Sequence, residues 1–116
     1  MRMDTEVLFA GVPAADFAAA LRWYEQLFGR AADVVAHDRE VMWRVAGGGW
    51  LYVVEDAERA GRALVTISVP DLDAAVQEAA GRGIDVEPAH PVGEAGRKAV
   101  MADPDGNTVA LIEVTG

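Results

Sequence analysis

Apolar and polar positions follow two rhythms along this chain, and the rhythms occur in the same order twice. The runs "EVLFAGV" (6–12) and "ALVTISV" (63–69) are short and apolar, the length of a strand. Each leads into a segment of helical period. Phe17, Leu21, Tyr24 and Phe28 form one stripe and predict a helix from about Asp16 to Phe28. Asp16 suits the N-cap, where a carboxylate accepts bonds from free first-turn amides. Gly29 suits the stop, because glycine adopts the left-handed conformation cheaply. Leu72, Val76 and Ala79 form a second stripe and predict a helix from about Asp71 to Ala80, ended by Gly81 and Gly83. Pro13 and Pro70 sit just before the helices, where a missing amide costs little.

Shorter extended runs follow each helix. In the first half they cover about Val34 to Ala36, Val41 to Val45 and Trp50 to Glu55, with "AGGGW" (46–50) as a hairpin turn. In the second half they cover about Ile84 to Val86, Lys98 to Ala102 and Thr108 to Val114, with "DPDGN" (103–107) as the turn. The polar stretch "EDAERAGR" (55–62) joins the halves. A direct repeat supports this division. "VPAADFAA" and "VPDLDAAV" pair Val12 with Val69, Pro13 with Pro70, Asp16 with Asp73 and Ala18 with Ala75, at a constant spacing of 57 positions. The expected fold is therefore α+β, one domain over 1–116 built from two tandem βαβββ modules, about 5–56 and 62–115. A curved, partly open mixed sheet is expected around a cavity, with the helices outside.

Composition narrows the function classes. The chain is 52% hydrophobic, which suits a globular domain with a core of its own. No apolar run reaches the ~18 residues of a membrane span, and "MRMDTEVLFAG" does not read as a signal peptide. There is no cysteine, which excludes disulfides and thiolate metal sites and fits a reducing compartment, so a cytoplasmic location is expected. The net charge of −9 repels phosphate backbones and attracts cationic small molecules. Neither nucleic acid nor membrane is expected as a partner.

Standard catalytic motifs are sparse. His37, with Asp38 and Glu40, is a candidate acid–base group, although the run "HDRE" has the polarity of a turn. His90 lies in the Pro- and Gly-rich stretch "EPAHPVGEAG" and reads as a loop residue. Ser68, the one serine, has no base beside it, and "AGGGW" lacks the Lys and Ser/Thr of a phosphate loop. Arg97 and Lys98 in "GEAGRK" read as solvated charges that could also pair with an anion.

The order strand, helix and three strands, taken twice, resembles the vicinal-oxygen-chelate superfamily: glyoxalase I, extradiol dioxygenases, fosfomycin resistance and bleomycin resistance proteins. The residues that carry the resemblance are "VPAADFAAALRWYEQLFG", "VPDLDAAVQEAAGRGI" and "DPDGNTVALIE". It spans nearly the whole chain and implies the fold more firmly than the reaction, because that fold hosts both enzymes and binding proteins. In its enzymes a concave sheet holds one divalent metal on His or Glu side chains. Here the matching places fall on Phe9, Leu64 and Ala110, and on Tyr52 when "YVVE" is matched to "ALIE"; a one-residue slip would turn Val53 inward instead. None of these supplies a carboxylate or imidazole, so neither metal nor other cofactor is expected.

Aromatic residues mark the expected ligand face. Trp50, Tyr52 and Val54 share one side of their strand, and Phe9 faces the same way as Gly11. Trp43 shares a face with Val41 and Val45, opposite Met42 and Arg44. The ligand-binding candidates are Phe9, Trp43, Trp50, Tyr52, Leu64, Thr66, Ala110 and Ile112. The expected function is that of a metal-independent small-molecule binding protein, sequestering a hydrophobic or cationic aromatic ligand as a homodimer. The alternatives are a metal-free lyase or isomerase using His37 or Glu40, and a scaffold acting through protein contacts.

Overall fold

Asp16 and Asp71 each stand one residue ahead of a helix, and each carboxylate accepts a bond from the amide three residues on, Ala19 and Ala74. These caps set the start of the helix in each half of a computed structural model that describes residues 2–114. The elements run β1 (Leu8–Ala14), α1 (Phe17–Phe28), β2 (Val34–His37), β3 (Glu40–Ala46), β4 (Gly49–Glu55), β5 (Leu64–Ser68), α2 (Leu72–Gly81), β6 (His90–Val92), β7 (Gly96–Ala102) and β8 (Thr108–Val114). They form two four-stranded sheets of identical topology, β1-β4-β3-β2 and β5-β8-β7-β6, each with one parallel pair at its edge. The fold is α+β with two repeated modules.

The structural repeat differs from the one read off the letters. Asp16 and Asp71 are 55 positions apart, so Asp71, not Asp73, is the counterpart of Asp16. The entry from β5 into α2 is two residues shorter than the entry from β1 into α1. Asp73 instead lies in the first turn of α2 and pairs with Arg97 at 3.3 Å.

A second correction concerns the strand expected at Ile84 to Val86. No strand forms there. Ile84 is 4% exposed and plugs the core at the end of α2, and its amide bonds the Ala79 carbonyl. The third strand of that module is β6, which pairs His90 with Lys98 and Val92 with Gly96. His90 thereby moves from a loop into the sheet.

Each helix covers one face of its own sheet, and the two helices touch. Val12, Ala14, Leu51, Val53, Val41 and Trp43 form the covered face of the first sheet, with Ala20, Tyr24 and Leu27 of α1 above them. Val109, Leu111, Ala99 and Met101 do the same in the second sheet, beneath Leu72 and Ala79. Gly29 ends α1 in the left-handed conformation (φ 69°), and its amide bonds the Glu25 carbonyl. Arg82, just past α2, donates from its guanidinium to the carbonyls of Gln26 and Leu27, so the end of one helix caps the other.

The "DPDGN" turn bolts the modules together. Asn107 is fully buried; its side chain accepts from the amides of Gly61 and Ala63 and donates to the Pro13 carbonyl and to Asp103. Asp103 also accepts from the Tyr24 hydroxyl at 2.8 Å and from the amides of Asp105 and Asn107. Asp105 accepts from the Ala15 amide. The turn thus ties the start of β8 to the end of β1, the start of α1 and the inter-module link. No described helix is long and apolar enough to cross a membrane.

Candidate functional site

The faces that the helices leave free are decided by strand parity. On the first sheet the register pairs Phe9 with Trp50, Gly11 with Tyr52 and Pro13 with Val54. Trp50 then pairs with Arg44, Tyr52 with Met42 and Val54 with Glu40. The Phe9 and Trp50 rings lie 6.2 Å apart, centre to centre, tilted by 32°. Phe9 is 51% exposed although large and apolar. Tyr52 lies across the backbone of β1, which is possible because residue 11 is glycine. A Cβ there would stand 2.5 Å from the outer atoms of the Tyr52 ring. Tyr52, and not Val53, is the residue on the free face; Val53 is buried in the core.

Trp43 does not share this face. It is fully buried on the helix side, 5.4 Å from the Phe28 ring and 6.2 Å from the Tyr24 ring, with its indole N–H on the Arg30 carbonyl at 3.1 Å. Strand β3 alternates, so Trp43 and its partner Leu51 point together toward α1. Ring type marked it as a ligand contact, whereas parity makes it core.

On the second sheet the free face carries Leu64 and Thr108, then Thr66, Ala110 and Val100, then Ser68, Ile112, Lys98 and His90. Leu64 is 82% exposed. Val65 and Ile67 pack the other way, against the core. A cavity of about 210 Å³ lies where β1 and β5 approach each other. Leu8, Ala10, Leu51, Val65 and Ile67 line it, and Trp50 and Thr66 connect it to the two free faces.

The places that would carry metal ligands are now fixed by geometry. At the spacing of the two helix caps, Phe9 corresponds to Leu64 and Gly11 to Thr66. Their strand partners make Tyr52 the counterpart of Ala110. Phenyl, isobutyl, methyl and a lone phenol do not fit a divalent cation, which needs several converging N, O or S donors. Among the described residues no three His, Cys, Asp or Glu side chains come together to hold a metal.

His37 and Glu40 face each other across the tight β2–β3 hairpin, with Nε2 and Oε1 3.9 Å apart. That exceeds hydrogen-bond reach. His37 Nδ1 accepts from the Arg39 amide, and the ring is largely exposed. Lys98 and His90 had been set aside as surface and loop residues, and both belong to the free face of the second sheet. The signal was present in "KAVM", where Ala99 and Met101 are core and Lys98 and Val100 must oppose them. Gly11 left no such signal, because its role depends on a ring 41 residues later in the chain.

Comparison with known proteins agrees with this architecture. A family model described as a glyoxalase-like domain matches residues 7–112. A glyoxalase / bleomycin resistance protein from Catenulispora acidiphila DSM 44928 is 40% identical, with a TM-score of 0.89, covering 96% of this chain and 100% of that one. The antibiotic binding protein TnmS3 from Streptomyces sp. CB03234 is 23% identical, with a TM-score of 0.78 and coverage of 99% and 100%. A bleomycin-binding protein solved in complex with bleomycin is 20% identical, with a TM-score of 0.77 and coverage of 96% and 100%. A sequence search of curated proteins finds no match. With paired βαβββ modules, free faces opposite the helices and a family model matched over nearly its whole length, the chain belongs to the glyoxalase-like domain family.

Proposed function

We propose that this protein binds a hydrophobic or cationic aromatic small molecule without a metal and without changing it. The observation that carries this is the aromatic free face, where Phe9, Trp50 and Tyr52 stand together and Trp50 opens onto an apolar cavity shared with Thr66. Ligand pockets combine such walls with a few polar groups, and stacking on a ring adds up to about 1.5 kcal/mol beyond burial. The side chains at the metal-ligand places favour metal independence, and the charge of −9 favours a cation at long range. The structural neighbours that bind bleomycin or another antibiotic support the class of function.

A second copy of the chain completes the site in this proposal. Strands β1 and β5 are free sheet edges, and Leu8, Phe9 and Leu64 on them are more than half exposed. Apolar edges of this kind invite pairing, and two-fold dimers are the commonest closed assembly.

The test is a thermal-shift and tryptophan-fluorescence titration of chelator-treated protein, with divalent metals and aromatic compounds as separate panels. A ligand at 100 times its dissociation constant adds about 2.7 kcal/mol of stability. The expected result is stabilisation by an aromatic compound that is recovered intact, with metals silent and the effect reduced in Trp50→Ala. Stabilisation by a divalent metal would overturn metal independence. Turnover that disappears in Glu40→Gln would establish the lyase or isomerase alternative.

A further inference from the structure

Lys98 is the chain's single lysine, and its ammonium meets no acid. The chain holds 19 Asp and Glu against 10 Lys and Arg. Arg30, Arg39, Arg59 and Arg97 each pair with a carboxylate. Arg44 and Arg82 bond backbone carbonyls. The other basic side chains, Arg2, Arg22 and Arg62, are exposed. Among the described residues, Lys98 alone is a partly buried cation without a hydrogen bond or ion pair.

Parity separates Lys98 from its neighbour. Arg97 points to the helix side and meets Asp73, whereas Lys98 points to the free face. It stands there in a row that crosses the whole sheet: Ser68 on β5, Ile112 on β8, Lys98 on β7 and His90 on β6. The next row is Thr66, Ala110 and Val100, and Ala110 is only 1% exposed, so the middle of the face is a low apolar floor. Neighbouring strands lie about 4.8 Å apart, so hydroxyl, ammonium and imidazole border that floor within the span of one small molecule. A charged donor beside apolar surface selects an anionic acceptor, since charge-assisted hydrogen bonds are about twice as strong as neutral ones.

Building on the function proposed above, we infer that the free face of the second module holds the acidic group of the aromatic ligand. Lys98 is its charged contact and Ser68 and His90 are its hydrogen-bonding neighbours. The group is a carboxylate or a phosphate. The chain's overall negative charge does not oppose this, because screening confines it to about 10 Å at 0.1 M salt and Lys98 sets the local sign. A ligand that is also cationic at its aromatic end satisfies both fields.

The test is calorimetric titration of the full chain with aromatic carboxylates, aromatic phosphates and their neutral amides or esters. Acetate and inorganic phosphate alone serve as further probes. The acids are expected to bind about 10-fold or more tighter than their neutral counterparts. Lys98→Met should abolish that preference while leaving the neutral compounds unaffected, and Lys98→Arg should retain it. The carboxylate and phosphate arms identify the acid. Equal binding of acids and neutral compounds by the wild type overturns the inference. So does a Lys98→Met variant that weakens both alike, melts at a lower temperature, or changes oligomeric state with ligand affinity intact, since each assigns Lys98 a structural role. If no aromatic compound of either kind binds, the proposed function fails first.

Discussion

Tyr24 carries two jobs in one side chain. Its ring packs against Trp23, Phe28 and Trp43 in the core, and its hydroxyl donates to buried Asp103. Burial, reinforced by the negative charge of Asp103, pushes the phenol above its ordinary pKa. The folded state therefore keeps the proton that an unfolded chain releases near pH 10. A raised pKa contributes stability that is fully present below the unfolded value and lost as pH rises above it. Tyr24→Phe should cost about 1–2 kcal/mol at neutral pH, because it leaves Asp103 short of one donor. That gap should narrow by about 1.4 kcal/mol per pH unit above 10. Urea unfolding of both proteins from pH 8 to 11 checks this, and a gap independent of pH would contradict the stated cause. The helical stripe gave Tyr24 as core, but nothing in the letters paired it with a residue 79 positions away.

At the scale of elements, helix boundaries were legible because their signals are local. Asp16, Asp71 and Gly29 act within a few residues, as caps do. The exact repeat was not, because the shared letters "VP" and "D" align at 57 while the caps align at 55. Strand β6 was also missed, since three residues with a proline give too short a pattern to stand out from a loop. The two helices meet through Arg82, whose guanidinium serves carbonyls that the end of α1 leaves open. Arg82→Met keeps the aliphatic stem and removes those bonds. It should lower stability by about 1–2 kcal/mol, measured by urea denaturation, while ligand affinity on the free faces stays unchanged. Loss of affinity would show that the helix contact also shapes the site.

Across the whole molecule, the "DPDGN" turn converts two similar modules into one unit. Asn107 is its pivot, with four side-chain hydrogen bonds reaching β1, the inter-module link and Asp103. Asn107→Ala leaves several of those partners buried and unpaired. A loss of about 3–5 kcal/mol is expected, the scale of a broken buried network. Unfolding should also separate into two steps if the modules lose their coupling. A variant as stable as wild type would show that the helix contact alone joins the halves.

The sequence by itself determined the elements, their doubled order, the caps and the absence of metal-ligating side chains at the expected places. All of these depend on residue type and on spacings shorter than a turn or a strand. Tertiary structure decided which rings are core and which are presented: Trp43 and Trp50 are chemically alike, and only the side on which the helix lies tells them apart. It also decided the reach of Tyr52 across Gly11, the row that joins Ser68 to His90, and the network around Asn107. Each of these rests on residues brought together across strands from distant parts of the chain. Strand pairing is a property of the whole sheet, and no local pattern encodes it.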